Sequence, residues 1–255
     1  MKRFLIAVSF SLAALVGAFA QDFAATDSLH DKEKYADELA LLRQGYSASD
    51  PQAAVAFRII RAMQEVAVAM PAGKDKTAKF DETINFGKPL LDTAKGSVRD
   101  RAKVIYWYAV TMSQKGKAAG VLNSLFMVGD LRGLCDKAIA LDPAFGDPYY
   151  LKAMIDDAVP DVAGGDKGRM GAEFAKALSC EATNIWYLTD FAMSLKKRNK
   201  NASYNAKGDR GVPAGMTDLD YAKQLAAKAR AVFAALPAPT PDQQEKMDEL
   251  KAAGL

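Results

Sequence analysis

The chain has 255 residues, half of them apolar, 25% charged and 9% aromatic, a balance that excludes disordered and fibrous classes. Lys plus Arg number 34 against 31 for Asp plus Glu, and Lys2 and Arg3 fall in a segment read below as removable, so no clustered positive charge remains for nucleic acid or an anionic membrane. A single histidine, His30, excludes multi-histidine metal sites and confines any Ser-His-Asp triad to the start of the mature chain.

Residues 1–20 begin with Lys2 and Arg3, run apolar from Phe4 to Val16 and end in Ala18-Phe19-Ala20. This is the pattern of a secretory signal peptide, with cleavage expected before Gln21. A lipid anchor would need a cysteine at that point, whereas the cysteines are Cys135 and Cys180. The expected product is exported, periplasmic and soluble, with no membrane anchor, since no later run reaches about 18 uninterrupted apolar residues. An oxidising compartment permits a Cys135–Cys180 bridge. Both cysteines also sit at small or apolar positions of a helical pattern, where a thiol acts as a buried hydrophobe, so bridge and free thiols both stand.

Apolar residues recur at three- and four-residue spacing from 21 to 255, without alternating strand patterns between hairpin turns, which predicts one all-α domain. The expected helices are 31–46, 50–70, 76–94, 98–115, 119–141, 147–158, 166–180, 183–197, 217–236 and 240–252. Asp50-Pro51 opens one of them, and Thr240-Pro241-Asp242-Gln243 supplies a cap, an N1 proline and a capping-box glutamine for the last. Breaks fall at Pro71-Ala72-Gly73, Asp142-Pro143, Ala163-Gly164-Gly165 and Pro237-Ala238-Pro239. Gly87 and Pro89 are expected to interrupt or kink the third helix. Residues 198–216 are polar and glycine-rich, which predicts a mobile surface insertion, either a binding or lid segment or a tolerated excursion.

Two repeats run through this pattern. Leu131-x3-Cys135-x2-Ala138 returns as Met170-x3-Phe174-x2-Ala177 and, more loosely, as Ala222-x3-Ala226-x2-Ala229. Small residues at these positions suit close crossing of two helices. On the preceding helices an aromatic pair is followed by a bulky residue: Trp107-Tyr108 with Met112, Tyr149-Tyr150 with Met154, and Trp186-Tyr187 with Phe191. Residues four apart share a helix face, so each helix presents a tyrosine beside a methionine or phenylalanine. Adjacent aromatics lie about 100° apart, so the first member of each pair should differ in burial from the second.

Helix pairs with small and aromatic residues in this order resemble the tetratricopeptide repeat family, most clearly from Ala102 to Leu195. The resemblance implies an α-solenoid of antiparallel helix pairs. A narrower one rests on Ala140-Leu141-Asp142-Pro143-x-Phe145-x-Asp147, followed by Ala158-Val159-Pro160-x-Val162-x-Gly164-Gly165-Asp166 and Phe174-x2-Ala177-Leu178. These segments are similar to the periplasmic T-component family of tripartite ATP-independent periplasmic (TRAP) transporters. That similarity implies an accessory that associates with a solute-binding protein, handles small apolar ligands and assembles with copies of itself.

No phosphate loop is present, because the Gly-Lys pairs are followed by Asp75, Pro89 and Ala118 rather than Ser or Thr; no cofactor is expected. Gly164-Gly165-Asp166 reads as a helix exit followed by an N-cap. Candidate catalytic carboxylates are Glu65, Asp81, Glu82, Asp156, Asp157 and Glu173, and a two-carboxylate glycosidase would need two of them facing across a cleft. The aromatic stripe suits a groove for a peptide or an apolar small molecule, or a packed core. Three functions follow: a binding accessory of solute transport, a general envelope scaffold of protein–protein contacts, and a carboxylate-dependent hydrolase.

Overall fold

The computed structural model describes residues 23–120 and 125–255. The expected signal peptide and its cleavage site lie outside the described residues, as do residues 121–124 of the helix expected at 119–141. Among the described residues the protein is all-α, and an isolated bridge pairs Gln52 with Lys95.

The first helices are α1 (Ala24–Asp31), α2 (Tyr35–Gln44), α3 (Ala53–Ala69), α4 (Lys74–Gly87) and the single turn α5 (Leu90–Thr93). Next come α6 (Val98–Ala119), α7 (Val128–Leu141) and α8 (Asp147–Ala158), then a 3-10 turn at Asp161–Ala163. The array continues with α9 (Lys167–Cys180), α10 (Ile185–Arg198), α11 (Asp218–Ala234) and α12 (Pro241–Ala252).

Ion pairs across the helix ends define the direction of packing. Arg99 in the first turn of α6 meets Asp142 just beyond α7. Arg169 near the start of α9 meets Asp156 near the end of α8, its Nε at 2.7 Å from Oδ2. Arg198, the last residue of α10, meets Asp218, the first of α11. The pairs α6/α7, α8/α9 and α10/α11 are therefore antiparallel, α6, α8 and α10 run parallel to one another, and α12 packs on α10 and α11. The repeated small and bulky positions form the crossings of these pairs. Leu131, Cys135 and Ala138, then Met170, Phe174 and Ala177, then Ala222, Ala226 and Ala229 are all buried, so the sequence repeat is a repeat of packing.

Helix starts follow the expected chemistry. Asp166 accepts from the backbone N–H groups of Gly168 and Arg169, and Thr240 and Gln243 form a reciprocal capping box. Several boundaries differ, among them the end of α6, at Ala119 rather than residue 115. Helix α1 lies ahead of the expected first helix and ends at a turn where Glu33 adopts a φ of 58°, a conformation no residue pattern announces. Helix α3 starts at Ala53 rather than residue 50, because the backbone before it is diverted: Ala53 N–H donates to Lys95 O at 2.6 Å and Lys95 N–H to Pro51 O at 2.9 Å. The helix expected at 76–94 splits at Lys88-Pro89, since proline brings no N–H to the ladder. Gly87 just before the break lets α4 approach α6, where a Cβ would lie 2.9 Å from Tyr108 Cδ2.

The polar insertion at 198–216 makes several contacts with the helices around it. Asn205 and Val212 inside it are buried, and the Asn205 side-chain amide donates to Asp218 Oδ1 at 2.8 Å and to Met216 O at 3.0 Å. Arg210 stacks on the Tyr204 ring at 4.0 Å. Backbone contact with α9 is so close that a Cβ on Gly171 would stand 2.0 Å from Arg210 O. The polar composition that suggested mobility serves this internal hydrogen bonding. Both cysteines are free thiols: Cys135 lies in the α6–α8 core and Cys180 at the end of α9.

Candidate ligand-binding site

Between α8 and α10 the aromatic stripe packs ring on ring. Tyr150 on α8 stacks on Tyr187 of α10 with ring centroids 5.1 Å apart. Phe174 meets Tyr150 edge-on and stacks on Phe191 at 4.8 Å. Each tyrosine hydroxyl has a buried acceptor, Tyr150 donating to Asp190 and Tyr187 to Asp147. Gly146 makes this approach possible, because a Cβ there would lie 2.9 Å from the Tyr187 ring edge.

Tyr108, Tyr149, Tyr187 and Phe191 are buried, whereas Trp107, Met112, Tyr150, Met154 and Trp186 are partly buried. The expected difference within each pair holds, with its sense reversed in the middle pair. Trp107 and Met112 pack against the α6–α8 core, and Trp186 packs against the Tyr149–Tyr187 cluster. Of the nine stripe residues only Met154 lines either of the two cavities described below. The other eight line neither of these two cavities and pack against neighbouring helices where they are buried.

The larger cavity, about 320 Å³, opens beside the stripe between the end of α6, the start of α7 and the end of α8. Leu131, Leu151, Met154 and Ile155 form its wall together with Met127 and Val128. Among the described residues, polar side chains enter only from α6, where Ser113 and Lys117 stand one turn apart on either side of Gly116. Partial desolvation beside these apolar groups holds the ammonium of Lys117, an otherwise exposed side chain, below the ordinary lysine pKa, while the Asp190 charge acts in the opposite direction. A smaller pocket of about 150 Å³ adjoins across Met154 and is lined by Asp157, Asp190, Met193, Ser194 and Lys197.

Most of the carboxylates singled out for catalysis are engaged elsewhere. Asp156 is fully buried and bound by both Arg132 and Arg169. Asp157 faces Lys167 and Lys197, Glu173 faces Lys152 at 2.9 Å, and Asp81 and Glu82 pair with Lys115 and Lys79. Glu65 differs: burial, helped by Asp242 and opposed by His30 and Arg61, raises its carboxyl to about 7. His30 itself is bound to Glu38 at 2.9 Å. Among the described residues no group of three His, Cys, Asp or Glu side chains could hold a metal ion.

Sequence reasoning missed Ser113, Gly116 and Lys117. Their i, i+3, i+4 spacing one turn beyond Met112 was the available signal, since it continues a helix face toward the C-terminus. No helix among the described residues is long and apolar enough to cross a membrane. No protein-family model matches the chain, and no curated protein matches it.

Proposed function

We propose that this protein is an exported, non-catalytic binding protein, an accessory of solute transport of the TRAP T-component kind, that holds an apolar small molecule between α6, α7 and α8 and associates with a solute-binding protein. The apolar cavity carries this reading. Its volume of about 320 Å³ falls at the lower end of the range of about 300–1,000 Å³ in which small ligands are held. Methionines Met127 and Met154 on its wall adapt to irregular ligand shapes. An array of stacked helix pairs also supports a binding role, because such arrays present surfaces and seldom perform chemistry.

The test is native mass spectrometry of the chain 21–255 purified from the envelope, followed by titration of the emptied protein with n-decanol. Retention of an apolar molecule, lost in Met154→Trp while circular dichroism stays unchanged, is the expected result. Recovery of a solute-binding protein in the same preparation supports the transport assignment. A wild-type protein that carries nothing and takes up no decanol overturns the ligand reading, and varied envelope proteins recovered in its place would make it a scaffold.

A further inference from the structure

The cavity is unlike a plain oily void in one respect: it is apolar on the sides supplied by α7 and α8 and cationic on the side supplied by α6. Lys117 makes no ion pair among the described residues. The nearest carboxylate acting on it, Asp190, is already held by Lys246 at 2.9 Å and by the Tyr150 hydroxyl. An ammonium at the edge of an apolar cavity, with the carboxylate that acts on it committed elsewhere, is available to an anion arriving with the ligand. Ser113, one turn earlier on the same face of α6, also lines the cavity and carries a hydroxyl.

Phe126 and Val162 are the two most exposed of the large apolar side chains, at 84% and 100%. Each stands next to or near wall residues: Phe126 between Leu125 and Met127, and Val162 two residues beyond Pro160. Neither side chain lines the cavity itself.

We propose that the cavity binds a single-chain anionic amphiphile, its head group on Lys117 and Ser113 of α6 and its alkyl chain against Leu131, Leu151, Met154 and Ile155. The inference rests on the ligand-binding reading above and sharpens it to a chemical class. A neutral amphiphile of equal chain length gains the same apolar contact without the head-group interaction. A cationic one meets Lys117 as a like charge.

Three probes with the same chain and different heads test this on the intact protein: decanoate, decanol and decyltrimethylammonium, each titrated calorimetrically into the wild type and into Lys117→Met. Wild type is expected to bind decanoate about tenfold more tightly than decanol, the scale of one charge-assisted hydrogen bond, and decyltrimethylammonium most weakly. Lys117→Met should lose that tenfold preference, decanoate then binding no more tightly than decanol. Equal affinities for decanoate and decanol in the wild type, or a preference that survives Lys117→Met, overturns the head-group assignment and leaves the apolar cavity intact. Absence of binding by all three probes overturns the ligand reading itself.

Discussion

Arg198 and Asp218 face each other across the neck of the 199–217 connection at 2.7 Å, with 2% and 0% of their side chains exposed. The Asp218 carboxylate also accepts from the Lys200 N–H and the Asn205 amide, both at 2.8 Å. Burial acts to raise its pKa, but Arg198, Asn205 and Lys200 together outweigh it and hold the carboxyl below the ordinary 3.8.

Removing one member of such a pair leaves the other charged and buried, so Asp218→Ala should cost about 3–5 kcal/mol, read as a fall in the urea midpoint. The connection should then become sensitive to protease. Because the folded pKa is depressed, the contribution is present above the unfolded value of 3.8 and is lost as pH falls through the lower folded value. Replacing both partners together, Arg198→Met with Asp218→Leu, should recover much of the loss. A single Asp218→Ala variant as stable as the parent would show that the connection is held by other contacts.

Glu65 gives the opposite pH dependence. Its carboxyl is raised by burial to about 7 from an ordinary 4.5, so its neutral form favours folding; the advantage is complete below 4.5 and is lost as pH rises through 7. Stability should fall across that window by roughly 3 kcal/mol from this group. Asp147, raised by burial to about 6 against the lowering effect of the Tyr187 hydroxyl, adds to the same slope. Glu65→Gln should flatten the profile of urea midpoint against pH, and an unchanged slope would assign the effect to other groups.

The two thiols should react at different rates. Burial raises Cys135 to about 12, which leaves almost no thiolate at neutral pH, whereas Cys180 is only partly buried. A disulfide reagent should modify one thiol in the native chain and two in urea. Two fast equivalents in the native protein would show that the α6–α8 core opens readily.

Phe191 and Met154 occupy equivalent repeat positions with different surroundings. Phe191 is fully buried in a stack with Phe174, so Phe191→Ala should cost about 3–5 kcal/mol. Met154 already borders two cavities, and Met154→Ala should cost no more than about 2 kcal/mol. Equal losses in thermal unfolding would contradict this difference in packing.

The helices from α6 to α12 were legible in the sequence because their signals are local: Asp166 and Thr240 as caps, and the alanines 138, 177 and 226 at crossings. The role of the aromatic stripe was not legible. Whether Tyr150 meets a ligand or the Tyr187 ring depends on how near α10 lies to α8, which is set by Gly146 in another connection. Lys117 was hidden for a similar reason, since an exposed lysine near a helix end looks like any other until the apolar wall from α7 and α8 stands beside it. In the 199–217 connection, polar residues solvated by water and polar residues bound to one another have the same composition, and only the burial of Asn205 and Asp218 separates them.

The short backbone clip between Pro51, Ala53 and Lys95 has a consequence for how the molecule comes apart. Lys95 Nζ also reaches Asp50 Oδ1 at 2.9 Å, across 45 residues of chain, so α3, α4 and α5 form a loop latched at its base. Fraying that begins at α1 and α2 must stop at this latch until its bonds give way together, and the three helices behind it are released as one cooperative unit rather than turn by turn.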